Sequence, residues 1–523
     1  MRIGVDVGGT NTDAALMDGD RVVATAKTAT TGDVGSGVVS AISSVLSEAR
    51  QSPASIDVVM IGTTHFTNAI VERKGLARVA VIRLCLPATR SLPPMIDWPA
   101  DLAEIIGDDV YLAKGGYEFD GRLISPLDPA EIADIADDIV RKGVRNIAIS
   151  SVFAPLNAAM EQGAAEIIKA RAPEATITLS YEIGRVGLLE RENATIFNAA
   201  LTDLAVDVVA AFQNALKELD IAAPLYISQN DGTLMSAETV ARYPVHTFAS
   251  GPTNSMRGAA FLCDAKDAIV VDIGGTTTDV GVLIGGFPRQ ASSRVDIGGV
   301  RTNFRMPDVY SIGIGGGSIV STDGGVKVGP KSVGYRLPEE ARVFGGDVLT
   351  ATDIVVASGC AEIGDAAQVS DLEGDLVEAA GREINFKVNE AIDRVKTSAA
   401  KAPVILVGGG AVLVTDDLPA ASEVIRPDHA AVANAIGASI AQVGGEIDKV
   451  YDFDALGREA ALDSARAEAR ERAIEAGADP QSIEIMQVEE IPLAYLPGAV
   501  RVNVKAVGDL AAAKPARTKE AGQ

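Results

Sequence analysis

The sequence predicts an α/β protein made of two related halves. Apolar runs of strand length alternate with amphipathic helical stretches along most of the chain, the pattern of layered α/β architecture. One hairpin pattern occurs twice, as IGVDVGGTNTDAAL at 3–16 and VVDIGGTTTDVGVL at 270–283. Each copy is an apolar strand, an Asp, a Gly-Gly-Thr turn, a polar patch closed by a second Asp, and another apolar strand. A length of 523 residues exceeds one ordinary core and calls for two or three domains.

The elements follow in order. Residues 1–30 read as a three-strand meander with Asp18-Gly19-Asp20 as its second turn. A helix at 33–50, a buried strand at 58–64, a helix at 65–75 stopped by Gly75 and a strand at 78–84 come next. A Pro-rich, less regular stretch reaches about residue 128, followed by a helix at 129–142, a strand at 146–153, a helix at 158–171 and a strand at 175–180. Residues 187–218 carry a long helical pattern expected to bridge the halves. The second half opens with PLYISQNDG (224–232) and runs through the second hairpin to the Gly-rich block SIGIGGGSI (311–319). Helices are expected at 350–359, 369–380 and 384–400, then the strand PVILVGGG (403–410) and a helix near 429–441. After residue 455 a charged amphipathic helix and two apolar runs suggest a small C-terminal α+β appendage. The expected boundaries are 1–190, 191–454 and 455–510, with a frayed tail at 511–523.

Composition narrows the function. The chain is 47% apolar and 22% charged, which excludes a largely disordered protein. Its net charge of −25 argues against a nucleic-acid groove, although backbone N–H groups and a cation can still hold a phosphate locally. Cys85, Cys263 and Cys360 are too few and too far apart for a disulfide framework or a Cys-x-x-Cys metal site. His65, His246 and His429 are the only histidines, so a multi-histidine centre is not expected. The N-terminus begins a strand at once, and the apolar stretch at 430–445 is broken by Asn434, Ser439 and Gln442. A cytoplasmic protein without membrane contact is expected.

The duplicated hairpin carries the chemistry. Gly8-Gly9 and Gly274-Gly275 lack a Cβ and tolerate positive φ, so a phosphate can approach the turn and accept several N–H bonds. Thr10, Asn11 and Thr12, and Thr276, Thr277 and Thr278, add short donors. Asp6 and Asp272 at the strand ends are placed to hold Mg²⁺ through water. One such hairpin is equally a Gly-containing turn with an Asp cap; the matched pair favours two phosphate loops gripping one nucleotide. The strand ending in Gly408-Gly409-Gly410 would let backbone pass close to an adenine and ribose. GGVKVGPKS (324–332) departs from a Walker A loop because Pro330 intrudes before Lys331, and the block at 313–318 misses a dinucleotide fingerprint at Ser318.

Two DxGGTxTD hairpins followed by a Gly-Gly-Gly turn resemble the superfamily of actin, sugar kinases and heat-shock chaperones. GTTHFTNAIVERKG (62–75), ERENATIFNAAL (190–201), SQNDGTLM (228–235), SGPTNSMRGAA (250–260), SIGIGGGSI (311–319), NAIGASIAQVGG (434–445) and GADPQSIEIMQVEEIPLAYLPG sharpen the match. Over nearly its whole length the chain resembles the hydantoinase/oxoprolinase A family of ATP-dependent cyclic-amide hydrolases, and it is shorter than the family's long members. The resemblance implies two actin-like (ribonuclease-H-like) α/β domains flanking a nucleotide cleft, with ATP and Mg²⁺ as cofactors. It also implies a small cyclic-amide substrate, an oligomer and a B-type or other partner subunit. Gly315 and Gly316 either line that cleft or form a flexible loop.

Four further residues are candidates for catalysis beside Asp6 and Asp272. His65 and Asn68 either open an exposed helix or face the substrate. Arg191 either makes surface salt bridges or pairs with an anionic substrate group. Asp231 is either a turn residue or a carboxylate in the cleft. The implied chemistry transfers the γ-phosphoryl of ATP to an amide carbonyl oxygen, after which water opens the ring. A nucleotide-switched binding or reactivating ATPase and a small-molecule kinase are the alternatives.

Overall fold

The computed structural model describes residues 1–511 except 10, 31–33, 292–294, 305, 323 and 494–495. Thr10 and most of the expected C-terminal tail therefore lie outside the described residues.

The chain opens with the expected meander: β1 (Arg2–Val7), β2 (Asn11–Asp18) and β3 (Arg21–Ala29) are successive antiparallel neighbours. The helix Val34–Ala49 covers one face, burying Val38, Ile42 and Val45 against Ile3, Val5 and Leu16. β4 (Val58–Thr63) pairs in parallel with β1, placing Thr63 level with Val7, and leads directly into the helix His65–Glu72.

A separate four-stranded parallel sheet follows, formed by β5 (Val79–Leu86), β6 (Val110–Lys114), β7 (Asn146–Ser151) and β8 (Thr176–Leu179) in the order β6-β5-β7-β8. Its β6 lies in the Pro-rich stretch whose composition masks strand periodicity. The helix Leu188–Glu218 packs Phe197, Leu201 and Phe212 into the core of the first sheet and Ile196, Ala199 and Ala200 against β5 and β7. It thus joins the two sheets of the N-terminal region instead of bridging the molecule's halves. Among the described residues it is the one helix long and apolar enough to cross a membrane, and 67% of its apolar window is buried inside the protein.

β9 (Leu225–Ser228) and β10 (Thr233–Ser236) return to the first sheet, β9 running parallel to β4. The helix Ser250–Cys263 then crosses to a second sheet built on β11 (Ala268–Ile273) and β12 (Thr278–Ile284). The strand Ala402–Val407 pairs in parallel with β11, and Val309–Ile312 pairs with β12. One helix, Gly374–Val395, stands where two were expected, burying Ile384, Val388 and Ile392 under this sheet.

The sheets divide the chain elsewhere than at the expected residues 190 and 455. The short helix Ala433–Ser439 leads back to the first sheet, where Gln442–Asp452 pairs in parallel with β10. Ala499–Gly508 and Glu484–Pro492 extend the same sheet to nine strands. The helix Arg458–Glu475 packs Leu462, Ala465, Ala469 and Ala473 against Val502, Val504 and Ala506. The C-terminal segment is therefore continuous with the first lobe, and the second lobe is an excursion between two helices that leave from and return to it.

Candidate active site: two hairpins on one pair of crossing helices

The two hairpins match register for register. Asp6 faces Asp13 across the first and Asp272 faces Asp279 across the second. The turns close alike, with Gly8 N–H donating to Asn11 O (3.0 Å) and Gly274 N–H to Thr277 O (2.9 Å). Gly8, Gly9 and Gly274 do not use the positive φ that the sequence allowed. Their value is the missing Cβ: nothing lies within 4 Å of the place where one would stand on Gly9.

The threonines divide by position. Thr12 and Thr278 are fully buried, Thr12 Oγ1 meeting Thr30 Oγ1 (3.2 Å) and Thr278 Oγ1 donating to Ile314 O (2.7 Å). They brace the hairpins from behind and are not free to bind phosphate, a correction to their expected role. Asn11, Thr276 and Thr277 stay accessible at the turns.

Gly315 and Gly316 also serve as a brace. Gly316 N–H donates to Gly274 O (3.0 Å) and Gly317 N–H to Gly275 O (2.7 Å), and a Cβ on Gly315 would meet Thr276 N at 2.5 Å. The block is buried behind the second hairpin and does not line the cleft. In the later turn, Gly408 (φ +85°) passes under Asp272, Gly410 packs on Ile273, and a Cβ on exposed Gly409 would stand 4.0 Å from Lys27 Cε.

The aspartates of both lobes are held by one helix. On Ser250–Cys263, Asn254 donates to Asp6 Oδ1 (3.4 Å), and the next residue, Ser255, hydrogen-bonds Asp272. Asn434, which opens the return helix, donates to Asp6 Oδ2 (3.0 Å) and Asp13 Oδ2 (2.9 Å). The two helices touch through backbone: a Cβ on Gly258 would stand 1.9 Å from Ala433 O, and one on Gly437 1.8 Å from Asn254 O. Only glycine permits that approach.

Burial pushes the Asp6 carboxyl up to about 6, Asp13 adding to the shift and the Asn254 and Asn434 bonds opposing it. Burial also pushes Asp272 up to about 6, with Asp279 and Asp6 adding. The Asp6 charge reaches Asp272 in the other lobe, and two carboxylates so placed fit a shared cation. Among the described residues no cluster of three or more His, Cys, Asp or Glu could hold a metal by itself. The pair therefore suits Mg²⁺, which takes one or two carboxylates, keeps several waters and binds substrate phosphate.

Lys27 was missed in the sequence. Its Nζ donates to both Asp13 oxygens (2.6 and 2.8 Å), and its charge acts on Asp6 and Asp272. The meander and its turn implied that β3 would place a residue opposite Asp13, and that residue is Lys27. Asn254, Ser255 and Asn434 sat within recognised segments, as polar residues in Ala- and Gly-rich helices, without an assigned role.

The remaining candidates separate. His65 and Asn68 adjoin the first hairpin: Thr64 N–H donates to Val7 O (3.4 Å), and Asn68 Nδ2 to Thr64 Oγ1 (3.3 Å). Burial lowers the His65 pKa, favouring a neutral imidazole. Arg191 is fully buried, which removes it as a substrate ligand. Its guanidinium donates to Ser180 Oγ (2.9 Å) and to the carbonyls of Arg185 (2.9 Å) and Val186 (2.8 Å). Sequence spacing could not reveal these partners, because a neighbouring loop folds over the helix start to supply the carbonyls.

Asp231 lies on the β9–β10 turn and faces a cavity of about 560 Å³. The carboxylate pairs with Lys505 (2.7 Å) and accepts from Thr233 N–H (2.9 Å) and Oγ1 (2.6 Å). Burial opposes its ionisation, but Lys505 and the Thr233 bonds hold its pKa down at about 2. That makes Asp231 a poor proton acceptor at neutral pH.

Residues 2–172 match the hydantoinase/oxoprolinase N-terminal region and residues 191–362 match hydantoinase/oxoprolinase. Among curated proteins, the chain is 28% identical over 390 residues to the caprolactamase subunit alpha of Pseudomonas jessenii, covering 68% of this chain and 54% of that one. It is 25% identical over 400 residues to the acetophenone carboxylase gamma subunit of Aromatoleum aromaticum, covering 68% and 53%. The chain thus spans about half the length of these two relatives. The crystal structure of the ATP-dependent caprolactamase from Pseudomonas jessenii superposes with a TM-score of 0.77 at 20% identity, covering 98% of this chain and 88% of that one. The shared fold is that of two actin-like α/β lobes flanking a cleft. With one aspartate hairpin inside each matched region, the chain belongs to the hydantoinase/oxoprolinase family.

Proposed function

We propose that the chain uses ATP to phosphorylate the carbonyl oxygen of a cyclic amide and so open its ring. The observation that carries this reading is the pair of aspartates, buried Asp6 and half-buried Asp272, each beside a Gly-Gly turn and both held by adjacent residues of one helix. Similarity to a caprolactamase alpha subunit supports the lactam as acceptor. Similarity to an acetophenone carboxylase gamma subunit supports a second reading in which a ketone oxygen is phosphorylated.

In the first reading, the open N–H groups around Gly9 and Gly275 receive the phosphates, and Asp6 and Asp272 orient them from either side. Mg²⁺ held by these two carboxylates supplies charge neutralisation at the transferring phosphoryl group. Lys27 adds a second positive centre between the lobes. The carbonyl oxygen forms a bond to the γ-phosphorus as the bond to the ADP oxygen breaks. Water adds to the carbonyl carbon, the ring C–N bond breaks with a proton going to nitrogen, and a second water releases phosphate from the acyl phosphate. Use of ATP supports a cytoplasmic location. The relatives are named as alpha and gamma subunits, which supports a partner subunit for this chain as well.

The test is an ADP- and phosphate-release screen over hydantoins, 5-oxoproline and simple lactams, run with and without co-purifying proteins. Release of both products driven by one ring class is expected. ADP formation with a stable phosphorylated product would instead identify a kinase, and turnover indifferent to every ring would identify a nucleotide switch.

A further inference from the structure

The cavity faced by Asp231 lies between the β9–β10 turn, the loop Glu182–Val186 and the C-terminal strands. Parallel pairing of β1 with β4, and of β4 with β9, puts the ends of these strands on one edge of the sheet. The β9 end is two strands from the first hairpin, about 10 Å away at ordinary strand spacing.

Charged side chains around this cavity are held in ion pairs, some of them with partners outside its lining. Besides Asp231 with Lys505, Arg501 Nε donates to Asp448 (2.6 Å) and Lys449 to Glu468 (2.7 Å). Such a cavity is matched to a neutral ligand, because an ion entering it would have to displace a formed pair.

Among the lining residues Asn303 Oδ1 is buried without a hydrogen-bond partner, and two further polar side chains open on the cavity. Asn230 is 6% exposed and lines the cavity, and among the described residues its carboxamide has no hydrogen-bond partner. Its backbone is committed, with N–H donating to His246 O (2.7 Å) and O accepting from Thr253 Oγ1 (3.0 Å). The His246 ring also lines the cavity, beside Tyr243 (centroids 5.9 Å apart) and in the field of Asp231, and its nitrogens have no partner among the described residues. Neither carboxamide atom is sealed off from the cavity, so its donor and acceptor are open to a ligand there. A carboxamide offers one donor beside one acceptor. The N–H and C=O edge of a cyclic amide is its complement, so two parallel hydrogen bonds can form.

We propose that this cavity binds the amide ring, with the Asn230 carboxamide pairing with its N–H and C=O edge and the His246 imidazole relaying a proton. The proposal rests on the ring-opening reading above. His246 takes a proton from the water that adds to the carbonyl carbon and returns it to the ring nitrogen as the C–N bond breaks. Burial lowers the His246 pKa, so the ring is available as an acceptor at neutral pH. At about 560 Å³ the cavity holds a ring together with a substituent. Arg191 is a positioning residue for the facing wall, whose carbonyls it ties down.

The experiment measures binding of 2-piperidone, hydantoin and the amide-free ring cyclohexanone to the full 523-residue chain by saturation-transfer NMR, alongside ADP affinity. The two amides should bind and cyclohexanone should not. Asn230→Asp, which keeps the shape but removes the N–H donors, should weaken amide binding about tenfold or more, with ADP affinity unchanged. Asn230→Ala gives the same reading without an added charge. His246→Gln should leave amide binding intact and lower kcat for amide-driven ADP release about 10²-fold at unchanged KM. Failure of both amides to bind, equal binding of cyclohexanone, or unchanged amide binding in both Asn230 variants would overturn the site. If the amides bind through Asn230 yet drive no ADP release, the cavity stands and the ring-opening reading falls. If amide-driven release is normal in all three variants, the reaction stands and the cavity assignment falls.

Discussion

The two hairpins share a backbone and differ in charge. In the first, the second aspartate is neutralised by a lysine, Lys27 on Asp13; in the second, its counterpart Asp279 receives a hydroxyl, that of Ser311. The first leading aspartate is held by two asparagines, the second by a serine. Even the braces differ, a threonine pair behind one and a glycine run behind the other. The repeated geometry supplies two open glycine turns, the cradles of the proposed phosphate site, and the unequal charges make the first lobe the source of the side-chain cation between them.

The strongest way to break this comparison is at the shared position. Asp6→Ala and Asp272→Ala should each reduce Mg-ATP turnover about 10³-fold or more, near 4 kcal/mol in barrier, with unchanged circular dichroism. If one variant keeps full turnover, the hairpins are not functional equivalents.

A group outside both hairpins gives the baseline for reading their pH behaviour. Glu161 is buried beside Ser151, Ser180 and Tyr181, and burial pushes its pKa up to about 7, against the Arg191 charge and three hydrogen bonds. The folded state holds this proton more tightly than the unfolded chain. Its contribution is therefore full below the unfolded value near 4.5 and is lost as pH rises through about 7. The loss amounts to about 3 kcal/mol. Thermal melts from pH 4.5 to 8 should fall for the native protein and flatten for Glu161→Gln; parallel curves would remove Glu161 as the cause.

The charge asymmetry itself predicts that Lys27→Met weakens ATP binding about 10²-fold, whereas Ser311→Ala changes it by less than about threefold. Equal effects in a nucleotide titration would erase the distinction between the lobes. The smallest effect belongs to the braces. Thr278→Val should cost about 1–2 kcal/mol by leaving the Ile314 carbonyl unpaired, and Thr12→Val about 1 kcal/mol or less, because Thr30 also bonds Gly8 O (2.8 Å). Urea melts check both.

Much of this comparison was legible in the residues. The hairpins, the meander and the strand before Gly408 follow from local alternation and turn chemistry, which neighbouring residues decide. What escaped depends on how the chain folds back on itself, over long stretches or short ones. The pairing of β10 with Gln442–Asp452 joins residues some 200 positions apart, so the C-terminal strands looked like an appendage. Thr12 and Thr278 read as ligands because their direction is set by strand register. Arg191 read as a substrate ligand because nothing in its helix announces the carbonyls that enclose it. Asn230 sat in a recognised segment beside the more conspicuous Asp231, and its free carboxamide becomes apparent only when every other partner has been assigned.

The crossing of helices 250–263 and 433–439 is closest where glycine backbone meets backbone, with apolar side chains packed to either side. Such a contact resists tilting and permits sliding. The same helix carries Asn254 and Ser255 at adjacent positions, so a slide along the crossing would move the grips on both carboxylates together. The molecule is thereby built with a linear bearing at its centre, and cleft opening is expected as shear along one helix, detectable as a change in the Asn254–Asn434 separation with the two sheets keeping their tilt.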